Sequence, residues 1–298
     1  MNPLASLLSW FCDSDSPIRD ERDELVVRLG EARHRYTPLT LLASGDVADL
    51  HLATTAEDTT SAILYLLKIA RDPKGNARLD NERKTLSHLL GAAGSTTYRN
   101  YLPTLVDSFS AMGRLSQRVN VFRWQPGLFT LEQVHEEHPA LDGRHLAWIF
   151  KRLLSILGFC HRQNRVHGAV LPCHVLVQPA GHCLQLAGWS NSVAPGQSIA
   201  IPTRYGDWYP IEAHQDRRVG PTGDMFLAAR CLVYLAGGDP RTNELPESVP
   251  ASIRRFLQTC LLESPSMRPD DAWQLLEEFD DLLKGLYGPP TFHELTLT

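Results

Sequence analysis

The sequence predicts an α+β protein in which a small β-rich region precedes a larger helical region. Short apolar stretches bounded by turn residues lie between Leu41 and Trp124 and are typical of antiparallel strands. Longer stretches with apolar residues at helical spacing follow, and the clearest covers Arg144–Gln163. With 298 residues, of which 43% are hydrophobic, the chain is long enough to bury a sizeable core.

The β-rich region contains several strand-like segments and one helix-like segment. Residues 41–53 have the spacing of a hairpin, and residues 61–70 alternate in polarity as a strand does. Residues 79–90 have a helical stripe of leucines, and residues 101–109 and 118–124 resemble two further strands. These segments predict a small sheet accompanied by a helix.

The helical region begins with a recognisable start signal. Thr130 followed by Gln133 forms the pattern of a capping box, which predicts a short helix to about Glu137. The long amphipathic helix over Arg144–Gln163 comes next. The most apolar run, Met225–Gly238, contains a charged residue and is too short to span a membrane, so it predicts a buried core helix.

Charge and cysteine content limit the partners and the compartment. A formal net charge of −5 gives no broad electrostatic reason to expect nucleic acid or an anionic membrane as a partner. The N-terminal apolar patch has no basic region before it, which argues against export. Six cysteines without a C-x-x-C spacing are typical of reduced thiols, and they predict a cytoplasmic protein.

Three adjacent pairs of cysteine and histidine raise the question of a zinc site. They are Cys160-His161, Cys173-His174 and His182-Cys183. Because adjacent residues on a strand point to opposite faces, each pair is expected to supply one ligand at best. We therefore expect core cysteines and surface histidines, with no metal site.

The segment Arg165–Ser190 is the centre of the functional argument. It contains a short turn and two apolar strands, Val175–Val177 and Cys183–Leu186, which are joined by a tight loop with Pro179 and Gly181 as breakers. A long helix precedes the segment, and an irregular stretch follows it.

This arrangement resembles the catalytic loop and the metal-binding hairpin of eukaryotic-type protein kinases. His167 and Pro172 match the histidine and the proline of the family's loop. The catalytic aspartate is replaced by Ala169, the metal-binding asparagine by His174, and Asp-Phe-Gly by Gly188-Trp189-Ser190. The resemblance therefore preserves the frame of the site without its acids.

Three residues of the β-rich region fit the same family. Gly45 falls at the middle glycine of the family's Gly-rich loop, and Lys68 falls at its nucleotide-binding lysine. Glu82 falls at the position of the lysine's ion-pair partner. The resemblance implies that these three residues could contact a nucleotide.

Three charged residues of the helical region fit structural positions of the family. Glu212 lies in Pro210-Ile211-Glu212, which resembles the family's Ala-Pro-Glu, and Arg268 is its expected ion-pair partner. Asp224 is the residue that braces the catalytic loop in the family. Together with His167, these residues are expected to be structural.

The resemblance implies a two-lobed, protein-kinase-like fold with a small β-rich N-lobe and a larger helical C-lobe. It covers about Leu41 to Leu283. The predicted organisation is an N-terminal extension over 1–38, the N-lobe over 39–124, the C-lobe over 125–287 and a C-terminal tail over 288–298.

The predicted function is that of a catalytically inactive kinase-like module, a pseudokinase, which acts by protein binding or scaffolding. Ala169 has no titratable group, and the residues at 174 and 188 offer no oxygen ligand for magnesium. Nucleotide binding without metal remains open, as does a pocket sealed by Leu66 and Trp189. The partner protein is unknown.

An alternative is an atypical ATP-dependent phosphotransferase or nucleotidyl transferase that uses other acids. The candidates for those acids are Asp46, Asp207 and Glu212.

Overall fold

The computed structural model describes residues 36–55, 63–112, 116–216 and 218–297. The predicted N-terminal extension lies outside these ranges except for its last three residues, which belong to the first strand. The α+β prediction is confirmed, since an antiparallel sheet comes first and a mainly helical region follows. This arrangement is compatible with a two-lobed kinase-like fold.

The first region is built on a five-stranded antiparallel sheet of order β1-β2-β3-β5-β4. Its strands are β1 (Tyr36–Ser44), β2 (Ala48–Thr55), β3 (Tyr65–Ala70), β4 (Leu105–Met112) and β5 (Ser116–Arg123). Helix α1 (Pro73–Ala93) follows β3. The described residues up to Arg83 form one compact unit with Thr104–Pro126. Its core is apolar and includes Leu67, Phe109 and Val121.

Lys84–Pro103 and Gly127–Leu297 form the second compact unit. Its small sheet has the order β6-β7-β8 and consists of β6 (Phe129–Thr130), β7 (Val175–Gln178) and β8 (Cys183–Leu186). The β7–β8 hairpin is antiparallel, as predicted for the two apolar runs. Its helices are α2 (Leu131–Glu137), α3 (Gly143–Arg162), α4 (Ile211–Gln215), α5 (Pro221–Leu235), α6 (Ala251–Cys260) and α7 (Ala272–Tyr287).

Helix α3 is the central helix of the second unit. Its leucine stripe is fully buried, and the helix packs against α5, α7 and β8. The Asp142 side chain caps its first turn by accepting the N–H groups of Arg144 and His145. The capping box predicted for α2 is also present, with Thr130 and Gln133 bonding reciprocally. Helix α3 ends at Arg162 and leads directly into the segment with His167.

Candidate functional site: a braced loop without acids

The loop at His167 is held by one buried carboxylate. Asp224 lies in the first turn of α5 and is only 1% exposed. Its Oδ2 accepts the backbone N–H of His167 at 2.7 Å, and its Oδ1 accepts that of Gly168 at 2.8 Å. The Nε2 of His161 also lies 3.0 Å from Oδ2. Because both carboxylate oxygens are occupied by protein donors, Asp224 braces the loop.

His167 has a structural environment. Its ring is completely buried and packs edge-on against Trp189, with the ring centroids 4.4 Å apart. A backbone carbonyl can only accept, so Nε2 donates to the oxygen of Ala187 at 2.8 Å. Nδ1 accepts the N–H of Ala169 at 3.2 Å. These two bonds define the tautomer and leave neither ring nitrogen available to a substrate.

The three positions that replace the acids lie together. Ala169 is fully buried, and its carbonyl oxygen lies 2.9 Å from Nδ1 of His174, which must donate the proton. Gly188 has φ = +80°, in the left-handed region that favours glycine. A Cβ placed on Gly188 would lie 2.5 Å from Cγ of His174. The His174 imidazole therefore fills the volume that a side chain at position 188 would need.

In the first unit, strand pairing brings Lys68 and Asn120 to the same glutamate. Lys68 on β3 lies directly opposite Asn120 on β5, and paired residues of neighbouring strands share a face of the sheet. Nζ of Lys68 is 2.8 Å from Oε1 of Glu82 on α1. Nδ2 of Asn120 donates to Oε2 of Glu82 at 3.1 Å. The carboxylate of Glu82, whose side chain is 2% exposed, is thus bound on both oxygens.

Gly45 lies in the tight turn between β1 and β2. Its N–H donates to the carbonyl of Ala48 at 3.0 Å, and its own carbonyl accepts from Nη1 of Arg71 at 3.1 Å. Arg71 also lies 3.7 Å from Oδ1 of Asp49, and the Ser44 hydroxyl donates to the same oxygen at 2.8 Å. The negative charge of Asp49, at the start of β2, is thereby partly compensated by Arg71.

Glu212 and Arg268 form the ion pair expected from the sequence. Nη1 of Arg268 is 2.5 Å from Oε1 of Glu212, and Nη2 is 3.3 Å from Oε2. The guanidinium also donates to the carbonyls of Leu262 and Glu263 and lies over the ring of Phe226. The Arg268 side chain is fully buried, and the pair fastens the start of α4 to the segment before α7.

The three acids that are candidates for an atypical transferase, Asp46, Asp207 and Glu212, lie in separate environments. Both oxygens of Glu212 face Arg268. The side chain of Asp207 is 74% exposed and lies 3.5 Å from Arg241 on the surface. Asp46 is an exposed residue of the β1–β2 turn in the other compact unit. Asp207 and Glu212 are therefore engaged on the protein itself.

The sequence argument about adjacent cysteine and histidine assumed strands, and that premise is wrong, since Cys160 and His161 lie on helix α3 and His182 lies in the β7–β8 turn. Cys173 and His174 do not lie on a strand but in the turn before β7, where adjacent side chains can meet. Burial raises the pKa of the Cys173 thiol. The charge of His174 and the hydrogen bonds with His174 and Tyr205 lower this pKa by more than burial raises it. The net result is a Cys173 pKa below its ordinary value. In the described part of the chain, no three potential ligand residues are grouped to hold a metal ion.

Cys173 is expected to differ in pH dependence from the buried thiols Cys160, Cys231 and Cys260. Burial raises the pKa of Cys260 to about 12 and those of Cys160 and Cys231 well above the ordinary value. Since the thiolate is the nucleophile, alkylation of Cys173 by iodoacetamide should persist to lower pH than that of these thiols. The measurement is the midpoint of the pH profile of each cysteine, read by mass spectrometry of the labelled peptides. His174→Asn should move the Cys173 midpoint upward, and an unchanged midpoint would contradict the pairing.

Sequence reasoning missed several residues of these networks. Asn120 belongs to no motif, and only its pairing with β3 reveals its place beside Lys68. His161 precedes the loop by six residues, and helix geometry alone does not show that it reaches Asp224. The hydroxyl of Tyr209 donates to the Gly168 carbonyl at 2.9 Å, a contact that no sequence pattern indicates. Burial and the charge of Asp224 raise the Tyr209 pKa, so the phenol remains a donor.

None of the described helices has the length and apolarity needed to cross a bilayer. The five described cysteines are all free thiols.

Comparison with known proteins gives a limited similarity to a kinase. No family model matches the chain. A mouse protein named Sperm motility kinase 1 is 22% identical over 170 residues, which cover 50% of this chain. The same match covers 34% of the mouse protein, so the chain aligns with about a third of that relative's length. This similarity supports a kinase-like relationship for half of the chain.

Proposed function

We propose that this protein is a catalytically inactive kinase-like module that works by binding another protein. The observation that carries the proposal is the packing of His174 against Gly188. At these two positions the chain provides the imidazole of His174 and a glycine without a side chain, where a metal-dependent kinase needs oxygen ligands.

The chemistry of phosphoryl transfer explains why this packing matters. The reaction depends on positioned Mg²⁺ and on a group that orients the attacking hydroxyl. Mg²⁺ prefers carboxylate, carbonyl and water oxygens, whereas imidazole suits softer metals. Nδ1 of His174 is also already bonded to the Ala169 carbonyl, and Ala169 supplies no acid. Metal-dependent transfer by the usual residues is therefore not expected.

Nucleotide binding without metal is the second part of the proposal. The Lys68 side chain is 19% exposed, so its ammonium is paired with Glu82 but not completely enclosed. Glu82, which is itself held by a hydrogen bond from Asn120, keeps the lysine in position, and this reduces the ordering cost of binding an anionic phosphate. We expect ATP or ADP to bind through Lys68 in this way.

The proposed protein-binding surface surrounds the pair of Glu212 and Arg268. Ile211 and Met267 adjoin these two residues in the chain and are 55% and 69% exposed, and Leu262, whose carbonyl binds Arg268, is 38% exposed. Exposed apolar side chains held on a rigid support are typical of surfaces that bind proteins.

The free cysteines are consistent with the cytoplasm as the proposed location.

The first test is a thermal-shift titration with ATP and ADP, each with and without Mg²⁺ or Mn²⁺. Ligand at one hundred times its Kd stabilises the folded state by about 2.7 kcal/mol, so even weak binding is measurable at millimolar nucleotide. We expect a shift without metal that Lys68→Ala abolishes and that the exposed control Lys74→Ala retains. No transfer of γ-phosphate is expected. A shift that requires metal, or transfer that Lys68→Ala abolishes, would overturn the inactive assignment.

A variant in which the missing acids are restored distinguishes a site that lacks only its acids from a site whose geometry is also distorted. Gly188→Asp alone should fold poorly, since its side chain meets His174. The triple variant Ala169→Asp, His174→Asn, Gly188→Asp returns the oxygen ligands. Because asparagine keeps atoms at the Cγ, Nδ1 and Cδ2 positions of His174, its side chain has to rotate away from residue 188 for this variant to fold. If only the acids are missing, this variant should gain a metal-dependent nucleotide shift that the wild type lacks.

The binding surface is tested by quantitative affinity capture with the wild type and two variants. Proteins recovered with the wild type should be lost with the double variant Ile211→Asp, Met267→Asp. They should be retained with Leu286→Asp, which places the same charge on another exposed apolar residue. Equal recovery with both variants would show that partner proteins do not bind at the surface around Ile211 and Met267.

A further inference from the structure

A row of inclined aromatic rings lies beside the contact between α2 and α5 in the second unit. The ring of Trp208 meets that of Tyr205 edge-on, with centroids 5.4 Å apart and planes at 82°, and lies 5.7 Å from that of Tyr234 at 66°. His135 of α2 packs on Tyr234, with centroids 3.9 Å apart. Tyr205 is buried, whereas Trp208 and Tyr234 are half-buried. Inclined rings of this kind form the aromatic cages that hold organic cations.

Glu132 of α2 provides a carboxylate at one end of this aromatic row. Its Oε1 accepts the hydroxyl of Tyr205 and lies 2.8 Å from Nη2 of Arg204. The Glu132 side chain is 21% exposed, and no donor within the described part of the chain bonds to its other oxygen, Oε2. The carboxylate therefore keeps one acceptor for a ligand.

The side chain of Arg204 shows which cation fits this place. Its Cζ lies 5.4 Å from the centroid of the Tyr205 ring, within the range of a cation–π contact. The guanidinium thus contacts a ring and the Glu132 carboxylate at once. The Arg204 side chain is nevertheless 74% exposed, and ion pairs and cation–π contacts at exposed sites are weak. A guanidinium from another chain can therefore replace it at little cost.

We propose that Glu132, Tyr205, Trp208 and Tyr234 form a binding site for an arginine side chain of a partner protein, and that Arg204 occupies this site in the free chain. The site uses none of the residues of the surface around Ile211 and Met267. The proposal does not rest on the loss of catalysis.

The charges around the aromatic row favour a cation. Burial, Glu132 and Glu136 raise the pKa of Tyr234 to about 12, so its phenol stays neutral. Burial lowers the pKa of His135, so this ring is uncharged at neutral pH. The charged side chains that act on Tyr234 are Glu132, Glu136 and Arg204. When Arg204 moves away, the two carboxylates leave an excess of negative charge at the site.

The free oxygen of Glu132 favours arginine over lysine. A guanidinium is planar, stacks on aromatic faces and can form two parallel bonds with one carboxylate. An ammonium is a compact and strongly hydrated charge that lacks this shape. A ligand arginine can therefore use Oε2 in addition to the contacts that Arg204 makes.

A second arginine makes the same two kinds of contact but leaves no free acceptor. Arg162 lies 2.8 Å from Oδ2 of Asp271 and 5.6 Å from the ring centroid of Trp273. The other oxygen of Asp271, Oδ1, accepts the backbone N–H groups of Trp273 and Gln274 at the start of α7. The free oxygen of Glu132 thus distinguishes the two places, and Arg162 provides a matched control.

Fluorine NMR of the full chain labelled with fluorotryptophan tests the site. The resonance of Trp208 is assigned with Trp208→Phe, and the other tryptophan resonances report an intact fold. The probe is a capped Gly-Arg-Gly tripeptide at millimolar concentration. We expect a saturable shift of the Trp208 resonance, a weaker effect of the lysine tripeptide, and none from the citrulline tripeptide, which has the shape of arginine without its charge. No shift with arginine, or an equal shift with citrulline, would overturn the proposal.

Three variants separate this site from a general attraction of cations to the surface. Arg204→Ala removes the internal occupant, so the Kd of the arginine tripeptide should fall by about fivefold. Glu132→Gln keeps an acceptor for the Tyr205 hydroxyl without the charge and should raise the Kd by about fivefold or more. Arg162→Ala should leave the Kd at Trp208 unchanged. Binding to Arg204→Ala that is no tighter than to the wild type, or equal binding to Glu132→Gln, contradicts the proposed site.

Discussion

Replacing Arg268 with methionine is expected to destabilise the protein by about 3–5 kcal/mol, the range measured when one partner of a buried ion pair is removed. The Arg268 side chain is fully buried, and methionine replaces its volume without its donors. The carboxylate of Glu212 and the carbonyls of Leu262 and Glu263 would lose the guanidinium. The measurement is the free energy of unfolding in urea, followed by tryptophan fluorescence.

The control for this experiment is Arg255→Met on α6. Arg255 is exposed, and its Nε donates to the Ala251 carbonyl of its own helix, so its replacement should change stability by less than about 0.5 kcal/mol. A difference of less than about 1 kcal/mol between the two variants would show that the buried ion pair does not stabilise the second unit.

Asp224→Ala is expected to have an effect of similar size in the same unit. It leaves the N–H groups of His167 and Gly168 buried without an acceptor, and each orphaned donor costs about 1–3 kcal/mol. A loss of about 2–6 kcal/mol should therefore appear in the same urea titration. The proton of His161 would lose its acceptor as well.

Asp224→Asn distinguishes the loss of hydrogen bonds from the loss of volume. It keeps the shape of the side chain and one acceptor oxygen, so its cost should lie between those of the wild type and the alanine variant. Asp270→Ala, at an exposed position, should be close to neutral. An alanine variant as stable as the wild type would show that the loop at His167 does not need this carboxylate.

The sequence predicted much of the secondary structure because local patterns determine it. Thr130 and Gln133 form the expected capping box, and the β7–β8 hairpin covers the two predicted runs. Helix α3 lies within one residue of its predicted bounds, since its leucine stripe and the Asp142 cap are both local features.

Contacts between distant segments were predictable only where a family resemblance supplied the partners. The pairs Lys68–Glu82 and Glu212–Arg268 were expected on that basis and lie within hydrogen-bonding distance. Asn120 was not expected to join the first pair, because the register of β3 with β5 depends on packing. The turn at Cys173 was likewise misjudged, since a strand periodicity does not apply there.

The sequence by itself determined that positions 169 and 188 carry no acid, because the identity of a side chain is covalent and independent of folding. It also determined the order of strands and helices through local hydrophobic periodicity. Only the tertiary structure decided that the His174 ring occupies the space beside Gly188, and that Asn120 donates to Glu82. Both contacts depend on where separate segments pack, and no local pattern specifies that distance or direction.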